Sequence, residues 1–376
     1  MKIIHVTDTS IYNFDGISTY INELLVVGEK IGDETLVLTT TPIGNVQRNY
    51  HNYSGLKLKS FKSAHFPYKP KFVVVSPLGM DKIITDFHPD LVWIHTIGTL
   101  GLRAAALSAN KYPIIYTKHC FDGELWNAYL NIPRNLKWTL YKASELIENR
   151  ILEKCDKVIY HINDDMKIMN SKYFSKFEHI PPPLNARFFQ NRLTIPKNNR
   201  RLTIGFSGRA EPDKGIEHTF RGLKILMEKY EFNNFEFLFI GDGTEAHRMK
   251  LKYPEMDIRI TGYLDDVIPA LDTLDAFVLS SLQETISLSS LEAYARGIPI
   301  FSVPIGYLYE HHEKLNNYFL FETAEQLADL LFEKLVKDHQ KEENSNLQNI
   351  DDFIISYEQL FMIANHYQIF LRWGSC

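Results

Sequence analysis

The feature that most constrains the fold is a repeated alternation, in the first half of the chain, of short β-branched runs with amphipathic helical stretches. Ile3 to Thr7 reads as a strand, Ile17 to Gly28 as a helix, and Thr35 to Thr40 and Leu91 to His95 as strands. Leu100 to Asn110 then reads as a helix, with strands at Ile114 to Lys118 and Lys157 to His161. Strands that are apolar almost throughout are covered on both faces. The rhythm therefore predicts a parallel sheet with helices on either side.

At 376 residues the chain exceeds one ordinary core, and two domains are expected. The rhythm breaks between Pro181-Pro182-Pro183 and Pro196-Lys-Asn-Asn-Arg-Arg201, where prolines, asparagines and charge read as a connection. A second βα series follows, with strands at Leu202 to Phe206, Phe235 to Ile240, Ile258 to Thr261, Ala276 to Ser280 and Ile298 to Val303. The expected division is 1–184 and 185–351. A helix over Asp352 to Leu371, within the terminal segment 352–376, is expected to pack back on the first domain. Two such domains imply a ligand cleft between them.

Composition narrows the class. With 45% hydrophobic and 23% charged residues the chain is an ordered globular protein. A net charge of −5 argues against a nucleic-acid partner. Cys120, Cys155 and Cys376 are far apart and odd in number, which indicates neither a disulfide framework nor a zinc site and fits a reduced compartment. The start, Met1-Lys-Ile-Ile-His-Val-Thr-Asp8, reads as a strand and turn, without the apolar stretch of a signal peptide. No apolar run is long enough to span a membrane. A cytoplasmic location is expected, with peripheral contact at the inner membrane surface left open.

Two segments carry the chemistry. Gly205-Phe-Ser-Gly-Arg-Ala-Glu-Pro-Asp-Lys-Gly215 lies where a strand ends and a helix begins. Glycine lets an anion approach the backbone, and a helix start offers unpaired N–H groups. Arg209 can grip two oxygens and Lys214 adds a point charge, a set that a diphosphate satisfies. An ordinary turn with two solvated cations is the competing reading. The second segment, Ser280 to Pro299, again runs strand, turn, helix, with Glu284 in the turn and Glu292 inside the helix. Between these carboxylates the amides of Ile286, Ser287, Leu288 and Ser289 can face a phosphate. The competing readings are a solvated loop carboxylate for Glu284 and a capping box between Ser289 and Glu292. Carboxylate, anion site, carboxylate is the layout a nucleotide-sugar requires.

With these residues the chain resembles the retaining family-4 glycosyltransferases, of the group 1 type, over nearly its whole length. Their G-R-x4-K-G element is matched by Gly208-Arg209 and Lys214-Gly215, and their E-x7-E element by Glu284 and Glu292. The resemblance implies the α/β GT-B fold, two Rossmann-like domains with parallel sheets. It implies that Arg209 and Lys214 hold the diphosphate, Glu284 the sugar hydroxyls and Glu292 the ribose. Gly16, in Phe14-Asp-Gly-Ile-Ser-Thr19, would lie near the diphosphate, and His119, in Tyr116-Thr-Lys-His-Cys120, matches the histidine of the first domain. It implies sugar transfer from a UDP- or GDP-sugar to a saccharide or lipid-linked acceptor, with no cofactor and no metal. Thr285-Ile286 stand where the family usually has glycine and an aromatic, the linker has Pro181-Pro-Pro-Leu-Asn185 in place of an Asn-Gly pair, and the first loop has one glycine. These departures leave the sugar open.

Weaker signals belong to the same picture. Gly241-Asp-Gly243 reads as a tight turn that borders the donor in the family, and Tyr263, in Thr261-Gly-Tyr263, as lining the base. Asp164-Asp165 reads as a solvated helix start. Arg134 to Lys154, with Trp138 and Leu146 among basic residues, reads as a surface helix, with a membrane-surface role open. A sugar-nucleotide epimerase of GT-B-like fold and a non-catalytic sugar-nucleotide-binding protein are the alternative functions.

Overall fold

The computed structural model describes residues 1–42, 47–66, 69–119, 133–163, 170–190, 201–337 and 355–356. The chain divides into two compact units, one built on Met1–Pro183 and one on Leu184–Phe353. Asp164-Asp165, Cys120, Cys376 and the connection over 191–200 lie outside the described residues.

The first unit is built on a seven-stranded sheet. Its strands are β1 (Lys2–Val6), β2 (Glu34–Thr40), β3 (Leu56–Phe61), β6 (Leu91–Ile94), β7 (Ile114–Thr117), β8 (Lys157–Tyr160) and β9 (Phe177–His179), and a separate antiparallel hairpin pairs β4 (Ser63–Phe66) with β5 (Lys69–Val75). The order across the sheet is β3-β2-β1-β6-β7-β8-β9 and every pairing is parallel. Among the described residues four helices connect them: α1 (Gly16–Ile31), α2 (Met80–Phe87), α3 (Thr99–Ser108) and α4 (Arg134–Lys154). Helix α1 starts where the Asp15 carboxylate accepts the Ser18 amide at 2.9 Å, and it stops at Gly32, whose φ of 74° lets its N–H turn back to Glu29 O. Between those caps Tyr20, Ile21, Leu24 and Leu25 are buried.

The second unit repeats the plan. Its strands β10 (Leu202–Ser207), β11 (Phe235–Ile240), β12 (Ile258–Ile260), β13 (Ala276–Leu279), β14 (Ile300–Ser302) and β15 (Tyr318–Leu320) stand in the order β12-β11-β10-β13-β14-β15, all parallel. The helices are α5 (Ile216–Tyr230), α6 (Thr244–Lys252), α7 (Ile268–Leu271), α8 (Leu288–Ala295), α9 (Gly306–Glu310) and α10 (Ala324–Leu331). Its core is aromatic: Phe220 on α5 meets Phe237 at 4.8 Å between ring centres, and Phe237 meets Phe239 edge-on at the same spacing.

The strands read from the sequence are observed within a residue or two of their expected bounds. Strands β3, β9 and β15, the β4–β5 hairpin and the terminal segment depart from that reading. Strand β3, Leu-Lys-Leu-Lys-Ser-Phe, alternates apolar and charged because it is an edge strand with one covered face. Strands β9 and β15 are three residues each, too short to show a period. The expected terminal helix needs correction where it can be seen: Ile355–Ser356 are extended, in keeping with the β-branched pair Ile354-Ile355, and the rest of 352–376 lies outside the described residues.

One ion pair ties the second unit together. The Arg296 guanidinium donates to both Asp272 oxygens, at 2.8 and 2.7 Å, and each side chain is 2% exposed. Its remaining fork reaches Gln190 O at 2.5 Å. Removing one partner strands the other charge in the interior, which costs about 3–5 kcal/mol. Arg296→Met is therefore expected to lower the urea midpoint of the second unit's transition sharply. The double variant Arg296→Met with Asp272→Leu is expected to recover most of that loss.

Candidate functional site

In the second sheet the strand order reverses between β10 and β13, so their following loops part and leave a crevice at the carboxyl ends. Four segments singled out in the sequence meet at this edge. Ser207-Gly208-Arg209 follows β10, Gly241-Asp242-Gly243 follows β11, Thr261-Gly262-Tyr263 follows β12, and Ser280 to Glu284 follows β13. The first three are stitched together by backbone: Gly208 N donates to Ile240 O and Ala210 N to Asp242 O, each at 2.9 Å, and Gly241 pairs with Gly262 across an isolated bridge. Gly241 must be glycine, because its φ is 134° and a Cβ would stand 2.2 Å from Gly208 O. The half-buried Tyr263 hydroxyl reaches Asp242 O at 3.4 Å; burial raises its pKa and the nearby Arg209 charge draws it back.

The β10 and β13 loops are fastened in the same way. Leu282 N donates to Asp213 O at 2.9 Å, and Gly215, with φ of 57°, has no room for a Cβ against Ser280 O. The buried Ser280 hydroxyl accepts from Thr219 at 2.8 Å and donates to Lys214 O at 3.2 Å. Those bonds set the Lys214 backbone. Its ammonium then donates to Glu284 Oε1 at 2.7 Å, with Asp213 Oδ2 3.6 Å away, and Ser281 Oγ donates to the same Glu284 oxygen at 2.9 Å. Lys214 and Glu284 are 17% and 15% exposed, covered enough to interact strongly yet open to a ligand. Ser281 and Asp213 carried no assignment in the sequence, where only their nearness to Glu284 and Lys214 marks them.

Helix α8 begins beyond Glu284 in an unusual way. Ser287 precedes it with φ of 53°, and no side chain caps the start. The first amide with a backbone partner is that of Ser290, which donates to Ser287 O at 3.0 Å. Among the described residues the amides of Ile286, Ser287, Leu288 and Ser289 reach no backbone carbonyl, and the buried Ser287 Oγ has no hydrogen-bond partner. The capping box between Ser289 and Glu292 does not form, because Ser289 is already the second residue of the helix. Glu292 lies half-buried in the second turn. The side chains of Thr285 and Ile286 are buried, at 5% and 7% exposure, so these positions present backbone only. An open helix start flanked by a lysine and two carboxylates can hold an anion that carries hydroxyl groups.

Gly16 and His119 stand in the first unit, at the carboxyl edge of its own sheet. Gly16 opens α1, and a Cβ there would meet nothing within 4 Å, so the fold does not itself require glycine. His119 follows β7 and belongs to a row that the sequence reading missed. His5 Nδ1 lies 3.0 Å from His95 Nε2, and His95 Nδ1 lies 3.2 Å from His119 Nε2. His161 sits beyond, 6.1 Å from His119 between ring centres. The signal was present in the recurrence of histidine at the ends of four strands that the sheet brings side by side. Among the described residues no group of three or more His, Cys, Asp or Glu side chains is arranged to hold a metal ion.

The model of the glycosyl transferases group 1 matches residues 201–337, and that of glycosyltransferase family 4 matches residues 14–188. The chain belongs to the family-4 glycosyltransferases. It is 24% identical to the sulfoquinovosyl transferase SQD2 of Arabidopsis thaliana, over 74% of its own length and 54% of the relative's. It is 26% identical to the UDP-Gal:alpha-D-GlcNAc-diphosphoundecaprenol alpha-1,3-galactosyltransferase of Escherichia coli, over 60% of each chain. It thus spans little more than half the length of these two relatives. Among solved structures, the sucrose-phosphate synthase of Thermosynechococcus elongatus superposes with a TM-score of 0.76 at 14% identity, over all of both chains. Anabaena Alr3699/HepE in complex with UDP and glucose gives 0.70 at 15% identity, over 98% and 99% of the two chains. The fold is therefore GT-B, two parallel-sheet α/β domains.

Within this family member the Lys214–Glu284 pair joins the two elements of the family pattern, G-R-x4-K-G and E-x7-E, through one hydrogen bond. Each charge balances the other. Lys214→Ala leaves the Glu284 carboxylate with Ser281 alone, and Glu284→Gln leaves the ammonium with Asp213. Both variants are expected to fold, at a cost of about 1–3 kcal/mol each, because a largely covered charge loses its main partner but keeps a second one. Binding of a nucleoside diphosphate, measured by calorimetry, is expected to fall about 10-fold or more in Lys214→Ala and to change far less in Glu284→Gln.

Proposed function

We propose that this chain transfers a sugar from a nucleoside-diphosphate sugar, UDP- or GDP-linked, to a hydroxyl of a saccharide or lipid-linked acceptor, retaining the anomeric configuration and using no metal ion. The observation that carries this reading is the Lys214–Glu284 pair set at the open amides of α8. Anabaena Alr3699/HepE, which shares the fold, is described in complex with UDP-glucose, and the relative from Escherichia coli is named for a UDP-sugar and a diphosphoundecaprenol-linked acceptor.

The chemistry follows from where charge develops. As the glycosidic bond to the diphosphate breaks, negative charge grows on the leaving phosphate. Arg209, Lys214 and the amides of Ile286 to Ser289 would stabilise it without reorganising, the kind of donor whose removal costs about 10² to 10³ in rate. Glu284 would accept from the sugar hydroxyls and Glu292 from the ribose, while Tyr263 would border the base. Gly16 would admit the diphosphate from the first unit, and His119 would meet the transferred sugar. In keeping with the family resemblance, the acceptor hydroxyl would attack the same face, its proton passing to the departing phosphate oxygen.

A thermal-shift series with uridine, guanosine and adenosine diphosphates is expected to give one clear stabilisation, by mass action on the folded state. The corresponding donor sugar, supplied with candidate acceptors and with EDTA present, is expected to yield an α-linked product by NMR from an α-linked donor. Product formed from donor alone would instead indicate an epimerase.

A membrane-surface role for α4 belongs to the same proposal. The helix exposes Trp138 at 63% and Leu146 at 60% beside Lys142 and Arg150, while among the described residues no helix is long and apolar enough to cross a membrane. Trp138→Glu is expected to reduce co-sedimentation with anionic phosphatidylglycerol vesicles several-fold; unchanged binding would remove α4 from the contact.

A further inference from the structure

The histidine row of the first unit is built by sheet register. β1, β6, β7 and β8 are neighbours, and His5, His95, His119 and His161 stand at or just beyond their carboxyl ends on one face, under α1. His5, His95 and His161 are buried, at 3%, 2% and 0% exposure, and His119 is partly exposed. Trp93 stacks on both His5 and His95, with ring centres 5.5 and 5.8 Å apart, and its indole N–H donates to Thr117 Oγ1 at 2.8 Å. Tyr20 of α1 closes the row from above, its ring 4.6 Å from His119. Among the described residues the titratable groups facing the rings are Tyr20, His179 and the histidines themselves; no charged side chain lies against them.

The rings are therefore neutral near pH 7. Burial pushes His5 down to about 3 and His161 down to about 4, and it holds His95 and His119 well below the ordinary imidazole value, with neighbouring rings adding to the effect. A neutral imidazole has one N–H and one bare nitrogen. His95 uses both of its nitrogens, so it donates to one neighbour and accepts from the other. The two N···N bonds must then point the same way along the row. Either His5 Nδ1–H donates to His95 and His95 Nδ1–H to His119, or both bonds run in reverse. His161 is outside this choice, since its Nδ1–H donates to Ile180 O at 2.7 Å.

We propose that His5 and His95 are positioning residues for His119, and that the three rings switch tautomer together, so that a ligand oxygen accepting a proton bond at His119 Nδ1 selects the direction of the whole row. In the forward arrangement His119 keeps its proton on Nδ1 and offers it as a donor at the sheet edge. In the reverse arrangement Nδ1 is bare and accepts. In passing from the forward to the reverse arrangement the protons of the two N···N bonds each cross to the next ring, one proton leaves His119 Nδ1 for solvent and one is taken from solvent at His5 Nε2, so the net charge of the row does not change. The link to sugar transfer rests on the reading of His119 under Proposed function, whereas the coupling among the rings does not.

The experiment uses the full chain with 15N-labelled histidine and two-bond 1H–15N spectra, which distinguish Nδ1–H from Nε2–H rings. In the parent without ligand, His5, His95 and His119 are expected to show the same tautomer. His95→Phe cuts the row, and His119 is then expected to change its tautomer ratio at least about threefold, together with His5. His95→Gln can still donate and accept, and it is expected to restore the parental pattern at His119. An unchanged His119 tautomer in a folded His95→Phe chain overturns the proposal, whatever the turnover does. If His95→Phe does not fold, His5→Phe is made instead: a shifted tautomer ratio at His95 and His119 supports the coupled row, and an unchanged ratio overturns it. In turnover, His95→Phe is expected to lower kcat about 10-fold with little change in donor KM, and His95→Gln to recover it. A tautomer change without any change in kcat supports the coupled row and overturns instead the placing of His119 at the reacting sugar.

Discussion

Every helix that follows a strand in a parallel βα unit points its first amides at the same edge of the sheet, and something has to satisfy them. The two units answer this differently at the equivalent place, the helix after the strand beside the central one. In the first unit the Asp8 carboxylate reaches the start of α3 and accepts from Leu100 N at 2.8 Å and Gly101 N at 3.3 Å, with the Thr96 and Thr99 hydroxyls completing its shell. The protein has supplied its own anion there. At the start of α8 in the second unit no side chain plays that part, and the amides of Ile286 to Ser289 face the crevice. Under the proposed function, the diphosphate would take at α8 the place that Asp8 fills in the first unit.

The charges around that opening are set by backbone rather than by loose side chains. Lys214 is fixed through its carbonyl by Ser280, and Ser280 is held in turn by Thr219. The loop bearing Glu284 is tied to Asp213 through Leu282. With both ends anchored, the ammonium and the carboxylate meet without a large entropic cost, and under the proposed function a ligand would divide the pair, phosphate to one side and hydroxyl to the other. Catalysis by preorganised charge depends on such anchoring, because donors already aimed at the leaving group do not have to be turned during the reaction.

Much of this was legible in the sequence. Parallel strands are apolar on both faces, so both βα series and nearly all their strands could be read directly. The placement of the loop elements was legible for a related reason: glycines, cations and carboxylates that follow apolar runs fall at strand ends, and the structure brings these loops to one edge of the second sheet. What could not be read depends on register. Histidines at positions 5, 95, 119 and 161 look unrelated along the chain and become neighbours only once β1, β6, β7 and β8 are placed side by side. The Ser289–Glu292 spacing matched a capping box, yet the left-handed Ser287 starts the helix two residues too early for it. Edge strand β3 was hidden by its alternating lysines, which a doubly covered strand does not carry.

The place of Thr285 shows how a local departure can be absorbed by a distant residue. The family's glycine after the first glutamate would leave space beside the sugar, and a threonine there should crowd it. Here the Thr285 side chain turns inward, 5% exposed, and its backbone is not among the described left-handed residues. Glycine stands instead on the other side of Glu284. Gly306, with φ of 81°, begins α9, and a Cβ on it would stand 3.5 Å from Glu284 Cβ and 3.6 Å from Thr285 O. A Cβ at these distances would be in ordinary contact, so what disfavours any other residue at 306 is its own left-handed backbone. Under the proposed function, the shape of the sugar subsite would then draw on β14 and α9 as well as on the E-x7-E element itself.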